Sequence, residues 1–195
     1  MKSDLVKEIS PFYVMDVLER AKQIEKEGKD VVHFEVGEPD FNTPENVCKS
    51  AVDSIYKGRT KYTSSLGIDE LRKTISDDYN DKYGVNTDYN NVIITMGSSP
   101  ALLLSILTTI NPGDEIIITD PYYACYPQII NIARGVSKKI PIYEEDNYQI
   151  NIKKLKSQIS KRTKAIIINS PSNPTGTILE PEIMKKLSQL GVMVI

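Results

Sequence analysis

The sequence predicts an α/β fold with a mostly parallel sheet covered by helices, and two observations carry that prediction. From residue 91 onward, short apolar runs alternate with helical patterns, the rhythm of strand–helix–strand units. The runs themselves, "EIIIT" and "KAIII", are β-branched and lack polar alternation, as strands buried on both faces do.

The elements follow in order. Val14–Glu27 reads as an amphipathic helix, with Val14, Val17, Leu18, Ala21 and Ile24 on one face and Gly28 ending it. His33 is expected to pack beside a strand at Val31–Val36. In "TPENVCKSAVDSIYKG", Thr43 is the expected N-cap, Pro44 the first helical residue, Val47, Ala51 and Ile55 the apolar stripe, and Gly58 the stop. A third helix is predicted over Ile68–Tyr83, with Leu71, Ile75 and Tyr79 facing inward and Asp69 and Glu70 in the first turn. Asn91–Met96 is the expected first strand of the alternating region, and a helix follows it. Further strands are expected at Ile116–Thr119, in "KKIPIY", at Ala165–Asn169 and in the closing "VMVI". Helices are expected at Tyr122–Arg134, "NIKKLKSQI" and "EPEIMKKLSQLG". The strands at Ile116–Thr119, Ala165–Asn169 and Val192–Ile195 should lie side by side. A chain that stops within a buried strand leaves its ladder incomplete, so the sequence reads as truncated.

Composition excludes several classes of function. The chain has 195 residues, 40% hydrophobic and 26% charged, with a net charge of −2. That is a globular composition without the basic excess expected of a nucleic-acid or anionic-membrane partner. No apolar run approaches the ~20 residues that span a bilayer. The start, "MKSDLVKEIS", lacks the apolar core of a signal peptide, which makes the cytoplasm the default location. Cys48 and Cys125 show no CxxC spacing and read as reduced core thiols; a single histidine leaves no His-rich metal site.

Three strand ends then deliver unusual residues to one sheet edge, the edge where open α/β sheets bind ligands. In "VIITMGSSPALLL", Gly97, Ser98 and Ser99 stand where a strand turns into a helix, offering backbone N–H groups, hydroxyls and a positive helix end to a phosphate. Simple N-capping by either serine is the alternative. Neither GxGxxG nor GxxxxGK[ST] occurs. In "DPYYACYP", Tyr122, Tyr123 and Tyr126 offer an aromatic plate, although at least one must cover the helix. In "NSPSNPTG", Asn173 offers an amide donor from a loop stiffened by Pro171 and Pro174, with a well-formed turn and an Asx contact as the alternative. A phosphate cradle, an aromatic plate and an amide donor together describe a phosphorylated aromatic cofactor.

With "VGEPDFNTP", "TKYTSSLGIDELR" and "NPGDEIIITDPYYACYP", these blocks make the chain closely resemble the amino-terminal half of the class I/II aminotransferases. Those are pyridoxal 5'-phosphate (PLP) enzymes of the aspartate aminotransferase fold type. The resemblance implies PLP-dependent transferase fold type I, truncated within the large domain. It implies that residues 1–43 belong to the small domain and dimer interface, and 44–195 to the large domain. By similarity, Gly37 lies against the substrate α-carboxylate and Tyr62 reaches the cofactor phosphate of the partner subunit. Gly97, Ser98 and Ser99 cradle the phosphate. Tyr123 stacks on the pyridine ring where many relatives have Trp, and Asn173 hydrogen-bonds the ring's phenolic oxygen beside the substrate.

The same resemblance implies amino-acid and 2-oxo-acid substrates and a homodimer. The family's Schiff-base lysine, its ring-pairing Asp and its arginines would lie beyond Ile195, so no catalytic residue is expected within the chain. Lys138, Lys139, Lys161 and Lys164 read as solvated charges instead. Two alternatives accompany this reading: a non-catalytic remnant, and a PLP-fold ligand-sensing protein.

Overall fold

The computed structural model describes residues 4–195 and divides into two compact units, one comprising the chain up to Tyr13 with Gly97–Ile195, the other Val14–Met96. In chain order the helices and strands are α1 (Asp4–Glu8), α2 (Tyr13–Lys26), α3 (Glu45–Tyr56), α4 (Asp69–Tyr83), α5 (Ser98–Thr109), β1 (Glu115–Asp120), α6 (Cys125–Ile132), β2 (Val136–Pro141), α7 (Ile152–Gln158), β3 (Thr163–Ile166), α8 (Pro181–Ser188) and β4 (Met193–Val194). Among the described residues, no helix is long and apolar enough to cross a membrane.

The first unit is a parallel sheet in the order β2-β1-β3-β4. The expected side-by-side group is present, since β1 pairs β3 and β3 pairs β4. The isoleucines of β1 explain the layering. Ile116 and Ile118 join one apolar cluster with Ile106 of α5 and Tyr126, Ile129 and Ile130 of α6. Ile117 points to the opposite cluster with Ile140, Leu155 of α7 and Leu187 of α8. An unalternated strand therefore feeds two cores at once, each closed by helices. Both faces are almost fully dehydrated: Ile116, Ile117 and Ile118 are 0%, 1% and 1% exposed.

A buried charge closes the amino-terminal end of this sheet. Glu115 is 4% exposed. Its carboxylate accepts from Ser160 Oγ at 2.7 Å, Thr163 Oγ1 at 3.1 Å and Arg162 at 2.8 Å, with Lys138 Nζ at 3.5 Å. The register shifts beside it: Glu115 faces Thr163 but Ile116 faces Ala165, skipping Lys164. The hydrogen bond from Ser160, then that from Thr163 and the nearby Lys138 and Arg162 charges, hold the Glu115 carboxyl below its ordinary range.

The second unit departs from expectation in several ways. Residues 31–36 and 91–96 form no strand; the latter follow a 3₁₀ turn at Tyr89–Asn91, and Ile94 N–H donates singly to Leu66 O at 3.0 Å. β-propensity supplies no ladder without a neighbour. The inward face of α4 is also not the apolar one. Leu71 and Tyr79 are exposed, while Arg72 and Ser76 are buried. The Arg72 fork donates to Val92 O at 2.9 Å, Tyr89 O at 3.1 Å and Asp69 at 3.0 Å, and Ser76 Oγ donates to Thr87 O. The turn at residues 87–92 thus finds its donors on α4, and satisfied carbonyls outweigh the apolar stripe. Gly67 makes this fit possible: with φ +100°, an added Cβ would stand 2.5 Å from Ile94 Cγ1.

On α3, Pro44 is the N-cap and no side chain caps the helix, so Thr43 does not serve there. No residue of α3 is buried, and Cys48 on it is exposed; only Cys125 is half-buried, so the pair is not a set of core thiols.

The lowered pKa of Glu115 gives a signed prediction. Stability from its charged form is fully present above the ordinary glutamate value, about 4.3, and is lost as pH falls through the lower folded value. Glu115→Gln should therefore weaken the chain at pH 7 and flatten its acid destabilisation, as followed by urea unfolding across pH. Unchanged acid sensitivity would mean that other carboxyls control it.

Candidate functional site

The carboxyl ends of β1 and β3 open onto a cavity of about 460 Å³ within the first unit. Ser98 and Leu102 reach it from α5, Tyr123 and Tyr126 from the segment after β1, and Asn169 and Asn173 from the loop after β3. Ile167, Ile168 and Ile195 supply its apolar floor.

α5 contributes its N-terminus to the rim. Its N-cap is Gly97 at φ 94°, ψ 176°, a left-side conformation that disfavours any other residue, and no side chain caps the helix. Neither Ser98 nor Ser99 is the N-cap, which disposes of the simple capping alternative. Both serines lie in the first turn and are exposed, Ser98 lining the cavity. The helix therefore presents its positive end without a protein carboxylate to neutralise it.

The aromatic wall comes from two of the three tyrosines. Tyr123 and Tyr126 meet edge to face, centroids 5.5 Å apart, which fixes the Tyr123 plane. The Cys125 thiol beside the Tyr123 hydroxyl, followed by burial, holds that phenol above its ordinary range, so it stays neutral. Burial, and then Cys125, raises Tyr126 as well. Tyr122 serves elsewhere: its hydroxyl accepts from Lys139 Nζ on β2 at 2.8 Å.

The loop of residues 169–179 is over-determined by hydrogen bonds. Asn173 N–H donates to Asn169 Oδ1, Ser172 N–H to Thr177 O at 2.9 Å, and Gly176 N–H to Ser172 O at 2.7 Å. Leu179 N–H donates to Ser170 Oγ at 3.0 Å, and Gln149 clasps the exit through Ile178 O and Glu180 N–H. Asn173 lines the cavity with its backbone amide tied to Asn169.

Five of the predicted positions, Gly97, Ser98, Ser99, Tyr123 and Asn173, thus belong to one unit, and Ser98, Tyr123 and Asn173 share one cavity. Gly37 and Tyr62 belong to the second unit. There Gly37 has open space around its α-carbon and Tyr62 is fully exposed. Sequence reasoning missed Leu102 and Asn169, while Tyr126 both lines the cavity and packs in the core under α6. Leu102 is four residues beyond Ser98, one helical turn, and an Asn four residues before another in a proline-bounded loop is a side-chain-to-backbone signal; both could have been read.

The Aminotransferase class I and II family matches residues 29–194. The chain belongs to that family. It is 44% identical over 172 residues to the (5-formylfuran-3-yl)methyl phosphate transaminase of Methanocaldococcus jannaschii, covering 88% of this chain and 44% of the relative. It is 37% identical to a probable aspartate aminotransferase of the same organism, covering 98% of this chain and 49% of that one. In structure it is similar to Thermus thermophilus aspartate aminotransferase with maleate, at a TM-score of 0.96 and 31% identity, covering all of this chain and 52% of that one. The chain thus spans about half the length of the curated relatives it matches. Its α/β fold with a parallel sheet is that of the PLP-dependent aspartate aminotransferases.

The loop analysis makes one expectation concrete. Asn169→Ala removes the acceptor for the Asn173 amide and should cost about 1 kcal/mol. Hydrogen exchange at the Asn173 amide should lose protection while amides of β1 keep theirs. Retained protection at Asn173 would show that the prolines alone hold the loop.

Proposed function

We propose that this chain carries the cofactor-holding part of a PLP-dependent aminotransferase, one that transfers an amino group from an amino acid to a 2-oxo acid. The observation that carries the proposal is the convergence in one cavity of an uncapped α5 N-terminus, the fixed Tyr123 plate and the held Asn173 amide. The donor set fits the group. A cavity of about 460 Å³ admits a substituted pyridine with its phosphate.

In this reading the first turn of α5, through Gly97, Ser98 and Ser99, would hold the phosphate. Tyr123 would lie against the ring face, its neutral phenol adding no charge. Asn173 would donate its side-chain amide to the ring's phenolic oxygen and keep that oxygen ionised. The apolar floor of Ile167 and Ile168 would exclude water from beneath the ring. When bound, the cofactor supplies an electron-accepting ring conjugated to the substrate's α-carbon. Gly37 would let the substrate α-carboxylate approach backbone, and the exposed Tyr62 would serve the phosphate of a partner subunit in a homodimer. The domain division at residues 43 and 44 belongs to the same proposal.

A second reading is favoured by one specific observation: among the described residues, no lysine lines the cavity. The 195-residue chain by itself would then bind the cofactor without attaching it covalently and without turnover, a non-catalytic ligand holder. Both readings require binding at the same residues.

The test is titration of the chain with PLP, followed by absorbance and equilibrium dialysis. Saturable binding is expected, weakened by about 1.5–3 kcal/mol in Asn173→Ala and abolished when pyridoxal replaces the phosphate ester. Borohydride should fix the cofactor to no single lysine, and a panel of amino acids with 2-oxoglutarate should give no turnover. Binding indifferent to Asn173 and to the phosphate would overturn the proposal; turnover would overturn the second reading alone.

A further inference from the structure

Residues 30–42 of the second unit are held by very little. Among the described residues they make no backbone–backbone hydrogen bond, and all but Val31 and Glu35 are exposed. Val32 and Phe34 are 74% and 90% exposed. Against that background, one side chain carries the polar contacts. His33 Nδ1 lies 2.6 Å from Glu35 Oε1, and His33 Nε2 lies 3.0 Å from Glu25 Oε1 on the last turns of α2.

The protonation state follows from counting donors. A neutral imidazole has one N–H and can donate to one carboxylate; its other nitrogen would then turn a lone pair toward the second. Only the imidazolium donates to both. We propose that His33, as the imidazolium, is a strap that ties residues 30–37 to α2, and that loss of its proton to solvent releases the segment.

The groups that face the ring are Glu25 from α2 and Glu35 from its own segment. The other charges of that helix end are engaged or apart: Arg20 and Glu27 lie 4.0 Å from one another. Among the described residues, no further charged side chain is within ion-pair distance of the imidazole. The Glu35 side chain is 9% exposed, and the ring is the largest of the groups that compensate this sheltered carboxylate, beside the backbone N–H groups of Glu35 and Phe34.

The direction of both shifts agrees with the geometry. The hydrogen bond to Glu35, then that to Glu25, raises His33, and the same bond to His33 lowers Glu35. The strap is therefore complete below the ordinary histidine value, about 6.5, and is lost as pH rises through the raised folded value. At the acid end it persists above the ordinary glutamate value, about 4.3, and fails as pH falls through the lowered value of Glu35. The segment it holds ends at Gly37. Any effect on substrate approach there rests on the proposed function, whereas the strap itself does not.

His33 is the only histidine in the sequence, which makes it a clean probe. Ring 15N NMR of the whole chain across pH should show His33 titrating above a histidine in unfolded peptide, with both ring nitrogens protonated at pH 6. Glu25→Gln and Glu35→Gln should each lower that midpoint. Amide 15N relaxation of residues 31–37 should pass from ordered to mobile at the same midpoint, while β1 stays unchanged. His33→Gln should leave the segment mobile at every pH, and Glu25→Gln provides a milder variant where Glu35→Gln unfolds. A ring that titrates at the ordinary value would overturn the proposal. So would relaxation of residues 31–37 that ignores the ring's midpoint, or a segment still ordered in His33→Gln.

Discussion

Parallel pairing of β1 with β3, Ile117 opposite Ile166, is the constraint from which the rest of the first unit follows. Ile116, Ile117 and Ile118 of β1 and Ala165 and Ile166 of β3 are dehydrated on both faces, and the one exposed side chain between them, Lys164, sits at the register shift. Polar chemistry is pushed to the two ends. At the amino end it appears as Glu115, enclosed by Ser160, Arg162 and Thr163. At the carboxyl end it appears as the cavity, where Tyr123 arrives after β1 and Asn173 after β3. Parallel direction brings those two arrivals to the same end, and the first turn of α5 completes them. One end is closed by charges that satisfy one another; the other keeps donors available. That asymmetry is what makes the carboxyl end the candidate site.

The sequence made the first unit legible because its signals are local. β-branched runs marked β1 and β3, Pro181 stands at the start of α8, and Gly97 marked the start of α5 at the cavity rim although the strand expected before it does not form. The abrupt break after Ile168 was readable as a stiff loop, and Asn173 as its useful side chain. How the loop is held was legible only in part. The Asn169 contact links side chain to backbone across a turn, and the clasp by Gln149 comes from some thirty residues upstream. Whether Tyr123 or Tyr122 would be the plate also depended on β2, which draws Tyr122 away through Lys139.

The second unit resisted the same reading for a physical reason. Periodicity counts apolar residues, and on α4 it selected Leu71, Ile75 and Tyr79. The structure buries Arg72 and Ser76 instead, because the turn at residues 87–92 presents carbonyls that must be paired. Arginine suits that task, since a planar fork can serve several acceptors at once. The expected strands at residues 31–36 and 91–96 likewise had the right composition and no partner. Strand formation is a property of pairs, whereas helix formation is largely a property of segments.

The account turns on what the carboxyl-end cavity holds, and a crystal structure of the chain with PLP addresses that directly. The account predicts the phosphate within hydrogen-bond distance of the backbone N–H groups of Ser98 and Ser99, the ring face against Tyr123, and the phenolic oxygen at the Asn173 amide. PLP seated elsewhere on the chain, or in this cavity with its phosphate turned away from α5, would contradict it.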